Sequence, residues 1–190
     1  MCIRDRSGNA REDLALRMNA VENFKTALPD PFITHALYNY NEDRVMSQIH
    51  NGGFSNRPED KVKIIFIPSY LKGDDGILNL SYYDVLIGLD ATAFPSYYEP
   101  WGYTPLESIA FGVPTVTTDL SGFGLWSCPS RACPVNEKGV AVFHRTDSNY
   151  DEVASQLVET IRDLSGKTVT EIENIRKLAM KTSKQALWKY

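Results

Sequence analysis

Two glutamates, Glu99 and Glu107, stand eight positions apart across the bend Pro100-Trp101-Gly102-Tyr103-Thr104-Pro105. Carboxylates so spaced, one in a loop and one on the first turn of a helix, can flank a single bound ligand. Thr104-Pro105-Leu106-Glu107 reads as a capping box, with threonine at the cap, proline at the first helical position and glutamate reaching back. Free amides of Tyr103, Thr104 and their neighbours, together with the positive helix end, make a pocket suited to a diphosphate. Glu107 therefore has two compatible readings, a partner of the cap and an acceptor for a ribose hydroxyl. Glu99 also has two, a solvated loop residue and a carboxylate facing a reacting centre. Tyr97, Tyr98, Trp101 and Tyr103 crowd it and predict partial burial, and such rings also stack on sugars and bases. Ser121-Gly122-Phe123-Gly124 reads as a short glycine turn, which falls short of a dinucleotide fingerprint.

The elements that must position these groups alternate. Apolar spacing predicts a helix over 10–27, stopped by Pro29 and Pro31, and a helix over 42–50 capped by Asn41 and ended by Gly52-Gly53. Residues 61–67 (KVKIIFI) are β-branched between prolines and predict a buried strand. A loop over 69–79 leads to a helix from Ser81 to about Gly88, on which one of Tyr82 and Tyr83 packs inward and the other is exposed. Strands are predicted at 91–94, 113–117 and 139–143, and a helix from Thr104 to Gly112. An amphipathic helix over 150–164 carries Val153, Leu157, Val158, Ile161 and Leu164 on its apolar face. Another, over 168–188, buries Ile172, Ile175, Leu178, Ala179 and Leu187. This alternation predicts an α/β fold with a Rossmann-like parallel sheet, whose ligand sits beyond the carboxyl ends of the strands.

Composition removes several functions. The net charge is −4 and no basic run offers a surface for nucleic acid. No apolar run approaches the roughly 18 residues of a membrane span, and the opening MCIRDRSGNARED has no apolar leader core. Cys2, Cys128 and Cys133 are too few for a disulfide framework. No second Cys/His pair completes a zinc site around Cys128 and Cys133, so no metal is expected and both read as reduced thiols in a cytoplasmic protein.

The stretch FPSYYEPWGYTPLE followed by VPTVTTDLSGFG resembles the donor-binding segment of the glycogen synthase family, of the animal and fungal type that some bacteria also carry. The upstream DRVMSQIHNGGFSNRPEDKVKIIFIPSYL is similar to that family's lead-in. The likeness covers roughly 30–190, and its body is most like bacterial members. It divides the chain into a foreign-looking leader over 1–7, a helical lead-in over 8–60, a Rossmann-like donor-binding core over 61–165 and a truncated C-terminal helix over 166–190.

The resemblance implies a retaining, two-domain GT-B glycosyltransferase that moves glucose from UDP-glucose or ADP-glucose to an α-1,4-glucan such as glycogen, without a further cofactor. It implies Glu99 as the catalytic carboxylate. Glu107 would hold the donor ribose, Tyr103 and Thr104 the phosphates, and Tyr82 the base. Ser121, Gly122 and Gly124 would line the sugar side. The family's arginine and lysine pair for the diphosphate, its N-terminal domain and the arginine cluster that senses glucose-6-phosphate are not found in these 190 residues. The chain is therefore expected to be a C-terminal piece, inactive alone, of an enzyme able to form homo-oligomers. Two alternatives are a non-catalytic nucleotide-sugar or glucan-binding module, against which the glutamate pair argues, and another retaining GT-B enzyme, which usually lacks the wording YYEPWGYTP.

Overall fold

The computed structural model describes residues 30–187. The leader, the helix read over 10–27 and Trp188 lie outside them. The chain divides into two compact units, one running to Gly88 and the other from Leu89.

In the first unit a 3-10 turn, Tyr40–Glu42, precedes helix α1, Arg44–Asn51. The cap of α1 is Asp43, whose carboxylate accepts the Met46 amide at 2.9 Å. Asn41 does not cap it, because the 3-10 turn already takes up that residue. Met46 and Ile49 bury against Phe32 and Ile33. The strand expected over 61–67 does not form, and Phe66 makes one parallel bridge to Ile33. A β-branched run becomes a strand only where a neighbour pairs along it, and here the pairing ends after the bonds Phe66 N to Phe32 O and Thr34 N to Phe66 O. Helix α2, Tyr82–Gly88, starts as the sequence predicts: Ser81 Oγ donates to Asp84 Oδ2 at 2.6 Å and accepts the Asp84 amide at 3.3 Å. Tyr82 is half-buried and Tyr83 exposed.

The second unit is built on a three-stranded parallel sheet of order β1-β2-β3, formed by Thr92–Phe94, Thr115–Thr118 and Val140–Phe143. Thr92 stands opposite Thr115, and Thr115 opposite Val140. Every residue of β2 and β3 is buried, as expected of parallel strands covered on both faces. On one face Val116, Ala141 and Phe143 pack with Val153, Leu164 and Ile175. On the other, Val140 and Val142 pack with Ile109, Phe123 and Ala179. The buried hydroxyls satisfy one another: Thr92 meets Ser108 at 2.6 Å and Thr115 at 2.9 Å, and Ser108 donates to Val113 O at 3.0 Å.

Helix α3, Tyr103–Ala110, joins β1 to β2, and α4, Gly122–Ser127, and α5, Val135–Lys138, lie between β2 and β3. Helices α6, Tyr150–Gly166, and α7, Val169–Ser183, follow β3. On α6 the expected apolar face is narrower than read, since Val158 and Ile161 are exposed while Val153 and Leu164 are buried. Helix α7 opens on a full capping box, Thr168 with Glu171, and ends at Ser183, which leaves Leu187 exposed. Gly139 is held at φ +73°, and a Cβ there would stand 2.5 Å from Ala179 Cβ.

Cys128 and Cys133 form a disulfide, with Cα atoms 6.0 Å apart. The reading of both as reduced thiols is corrected. Five positions is a short span, but Arg131 at φ +64° turns the chain back and Cys133 pairs with Val142, so the sulfurs meet. That separation is within bonding reach.

Two expectations follow. Gly139→Ala adds left-handed strain and a clash with the α7 backbone, and is expected to cost about 3 kcal/mol in urea unfolding; a loss below about 1 kcal/mol would contradict this packing. Trypsin cleavage after Arg131 without reductant is expected to leave the two flanking peptides joined until thiol is added. Two separate peptides in the unreduced digest would rule out the bond.

Candidate active site at the carboxyl ends of the strands

The loop leaving β1 turns at Ser96, whose amide donates to Phe94 O at 2.8 Å. It then runs alongside the end of β2. Glu99 forms a parallel bridge with Ser121: its amide donates to Leu120 O at 3.2 Å, and its carbonyl accepts the Gly122 amide at 3.1 Å. One step on, the Phe123 amide donates to Trp101 O at 2.6 Å. Glu99 is half-buried, as expected, and its Oε2 accepts the Ser96 hydroxyl at 3.0 Å. The cause differs from the expected wall of rings. Among the described residues only Trp101 of the four packs against other rings, its ring centroid 6.3 Å from that of Phe123 and 6.0 Å from that of Trp126. Tyr97, Tyr98 and Tyr103 are all more than half exposed. Backbone pairing, not ring packing, draws Glu99 inward.

Helix α3 begins two residues earlier than the sequence suggests. Its cap is Gly102 at φ +108°, and no side chain caps it. Thr104 lies inside the first turn and Glu107 on the second, so the capping box read at Thr104 and Glu107 is not formed. Glycine tolerates the left-handed cap, and Pro105 fits because first-turn amides have no partner within the helix. The amides of Tyr103 and Thr104 have no hydrogen-bond acceptor among the described residues. They and the positive end of the helix are open to an anion. A Cβ placed on Gly102 would stand 3.6 Å from Glu99 Oε2, which sets the carboxylate against the open helix start. Tyr103 and Glu107, four apart, share one helix face. Glu107 is half-buried and Tyr103 exposed.

The stretch 121–124 is not a turn but the start of α4, capped by the Ser121 hydroxyl, which accepts the Gly124 amide at 3.0 Å. Its amides are spent inside the protein, on Glu99 O, Trp101 O and Ser121 Oγ. Both glycines are required by close approach. A Cβ on Gly122 would lie 2.3 Å from Pro100 O, and one on Gly124 2.0 Å from Thr118 O. Tyr82 belongs to the first unit, where its ring makes an edge contact with Tyr83 at 5.3 Å.

A charged group that the sequence reading missed surrounds Asp119, at the end of β2. Its buried carboxylate meets His144 Nδ1 at 2.6 Å, accepts the Arg145 amide at 2.9 Å and lies 3.8 Å from Arg131. The Arg145 guanidinium lies 5.4 Å from the Tyr97 ring centre and 5.5 Å from that of Tyr150. The Tyr97 hydroxyl donates to Asp147, and this bond and the nearby negative charge raise its pKa above the ordinary phenol value. The available signal was position: Asp119, His144 and Arg145 directly follow strands, where parallel sheets place ligands. Among the described residues no group of three or more His, Cys, Asp or Glu could hold a metal ion.

The glycogen synthase family model matches residues 9–190. The chain is 34% identical over 182 residues to the glycogen [starch] synthase of Neurospora crassa, covering 95% of this chain and 25% of the relative. It is 34% identical over 177 residues to isoform 2 of Saccharomyces cerevisiae, covering 93% and 25%, and over 149 residues to the liver enzyme of Homo sapiens, covering 78% and 21%. The chain thus spans about a quarter of the length of these relatives. All three are eukaryotic and lend no support to the expected likeness to bacterial members. With the matched residues running through β1, the Glu99 loop and α3, the chain belongs to the glycogen synthase family.

Proposed function

We propose that this segment is the donor-binding part of a retaining glucosyltransferase that extends α-1,4-glucan from UDP-glucose or ADP-glucose. The observation that carries the reading is the Glu99 carboxylate held against the uncapped start of α3. During transfer, negative charge grows on the departing diphosphate and positive charge on the anomeric carbon. The open amides of Tyr103 and Thr104 suit the first, and Glu99 suits the second, as preorganised groups that need not rearrange when charge appears.

Glu107, on the α3 face shared with Tyr103, is proposed to hold the donor ribose. Ser121, Gly122 and Gly124 are proposed to form the sugar-side wall, with the Gly122 amide engaged in holding the Glu99 loop and the Gly124 amide on the Ser121 cap. The acceptor is an α-glucan chain end, and self-association belongs to the longer protein. A cytoplasmic place of work is proposed from the reaction class alone, because the disulfide removes the thiol argument for it.

In the natural protein that carries this segment, Glu99→Gln is expected to lower kcat for glucan synthesis at least about a hundredfold, the scale of a positioned catalytic group. Turnover within a few-fold of native would remove Glu99 from the chemistry. Glu107→Ala is expected to raise donor KM about tenfold, the loss of one strong hydrogen bond. A drop in melting temperature with KM unchanged would instead make Glu107 a structural residue.

A further inference from the structure

If Glu99 acts on the reacting sugar, its carboxylate must be aimed. A glutamate side chain turns about three bonds and costs ordering entropy to hold in place. Pairing of the Glu99 backbone with Leu120 and Gly122 fixes where the side chain starts, not where its oxygens end. Among the described residues the one donor that reaches the carboxylate is the Ser96 hydroxyl, 3.0 Å from Oε2.

We infer that Ser96 is the positioning residue for Glu99, giving its hydroxyl proton to Oε2 and leaving Oε1 without a donor among the described residues. A serine hydroxyl has one proton to give. Its other acceptor in reach is Phe94 O at 3.5 Å. That contact is long for an O–H bond, whereas the shorter one is charge-assisted, so the carboxylate takes the proton.

Ser96 is itself fixed from both sides. Its amide is tied back to β1 through Phe94 O at 2.8 Å, and its carbonyl accepts the Thr118 hydroxyl at the end of β2. The aim of Glu99 is thus referred to two strands of the sheet rather than to the loop alone. Supporting contacts of this kind are what keep a catalytic group within about half an ångström of a productive place.

This inference rests on the proposed role of Glu99, and the test separates the two. In the natural protein that carries this segment, kcat and donor KM are measured for Ser96→Ala, Ser96→Thr and Glu99→Gln. Ser96→Ala is expected to lower kcat about tenfold to a hundredfold, the effect of losing a hydrogen bond to a charged group, with donor KM within about twofold of native. Ser96→Thr, which keeps the hydroxyl, is expected to restore most of that kcat. A general disturbance of the loop would move KM as well, since Tyr103 and Thr104 lie on the same stretch, and threonine would not repair it. If Ser96→Ala does not fold, Ser96→Cys keeps the size with a weak donor, and its kcat is expected to fall at least fivefold. Full kcat in Ser96→Ala or Ser96→Cys alongside a crippled Glu99→Gln overturns the role of Ser96 alone. Full kcat in Glu99→Gln overturns the reading of the site itself.

Discussion

The site depends on two strips of backbone lying side by side at the carboxyl ends of β1 and β2. Glu99 and Trp101 exchange main-chain hydrogen bonds with Leu120, Gly122 and Phe123. That pairing draws a loop glutamate inward without a wall of side chains, and it also holds the N-terminal end of α4. It succeeds only because residues 122 and 124 lack side chains: any Cβ would overlap the Pro100 or Thr118 carbonyl. The glycines that read as a possible ligand turn thus act first as the space in which the loop is held.

The same pairing makes the two neighbouring helix starts unequal. Helix α4 spends its first amides on the Glu99 loop and on its own serine cap, so little of its positive end remains for a ligand. Helix α3 begins at a glycine in left-handed conformation, with no side-chain cap and a proline in its first turn. Its open amides lie beside the Glu99 carboxylate. A negative side chain against a positive helix end is a stable combination, and an anionic ligand and a carboxylate can share that end only if each occupies a separate side of it.

Behind this front, Asp119 ties the ends of β2 and β3 together. A buried carboxylate is costly unless it is paired and hydrogen-bonded, and here the Arg145 amide, His144 and Arg131 provide those partners. Asp119 precedes Leu120, whose carbonyl receives the Glu99 amide. The charge network and the backbone pairing are therefore continuous through two adjacent residues.

Local pattern alone was enough to place the three strands of the sheet, α2, α3 and the two long helices α6 and α7, the starts of α2 and α6 and the two glutamates, because these rest on periodicity and turn chemistry within a few residues; the short helices α4 and α5 carry no such pattern and were not read. The sequence also carried the family likeness in the wording around Glu99. What it could not determine was set by partners distant in the chain. Residues 61–67 have strand composition but pair at one bridge only. Thr104 and Glu107 spell a capping box that Gly102 pre-empts, while Thr168 and Glu171 form one in full. Cys128 and Cys133 meet only because the chain reverses at Arg131, and Glu99 is half-buried because residues 120–123 pair with its backbone. Which hydrogen bonds a residue makes across the fold is a matter of three-dimensional proximity, which no local stretch of sequence contains.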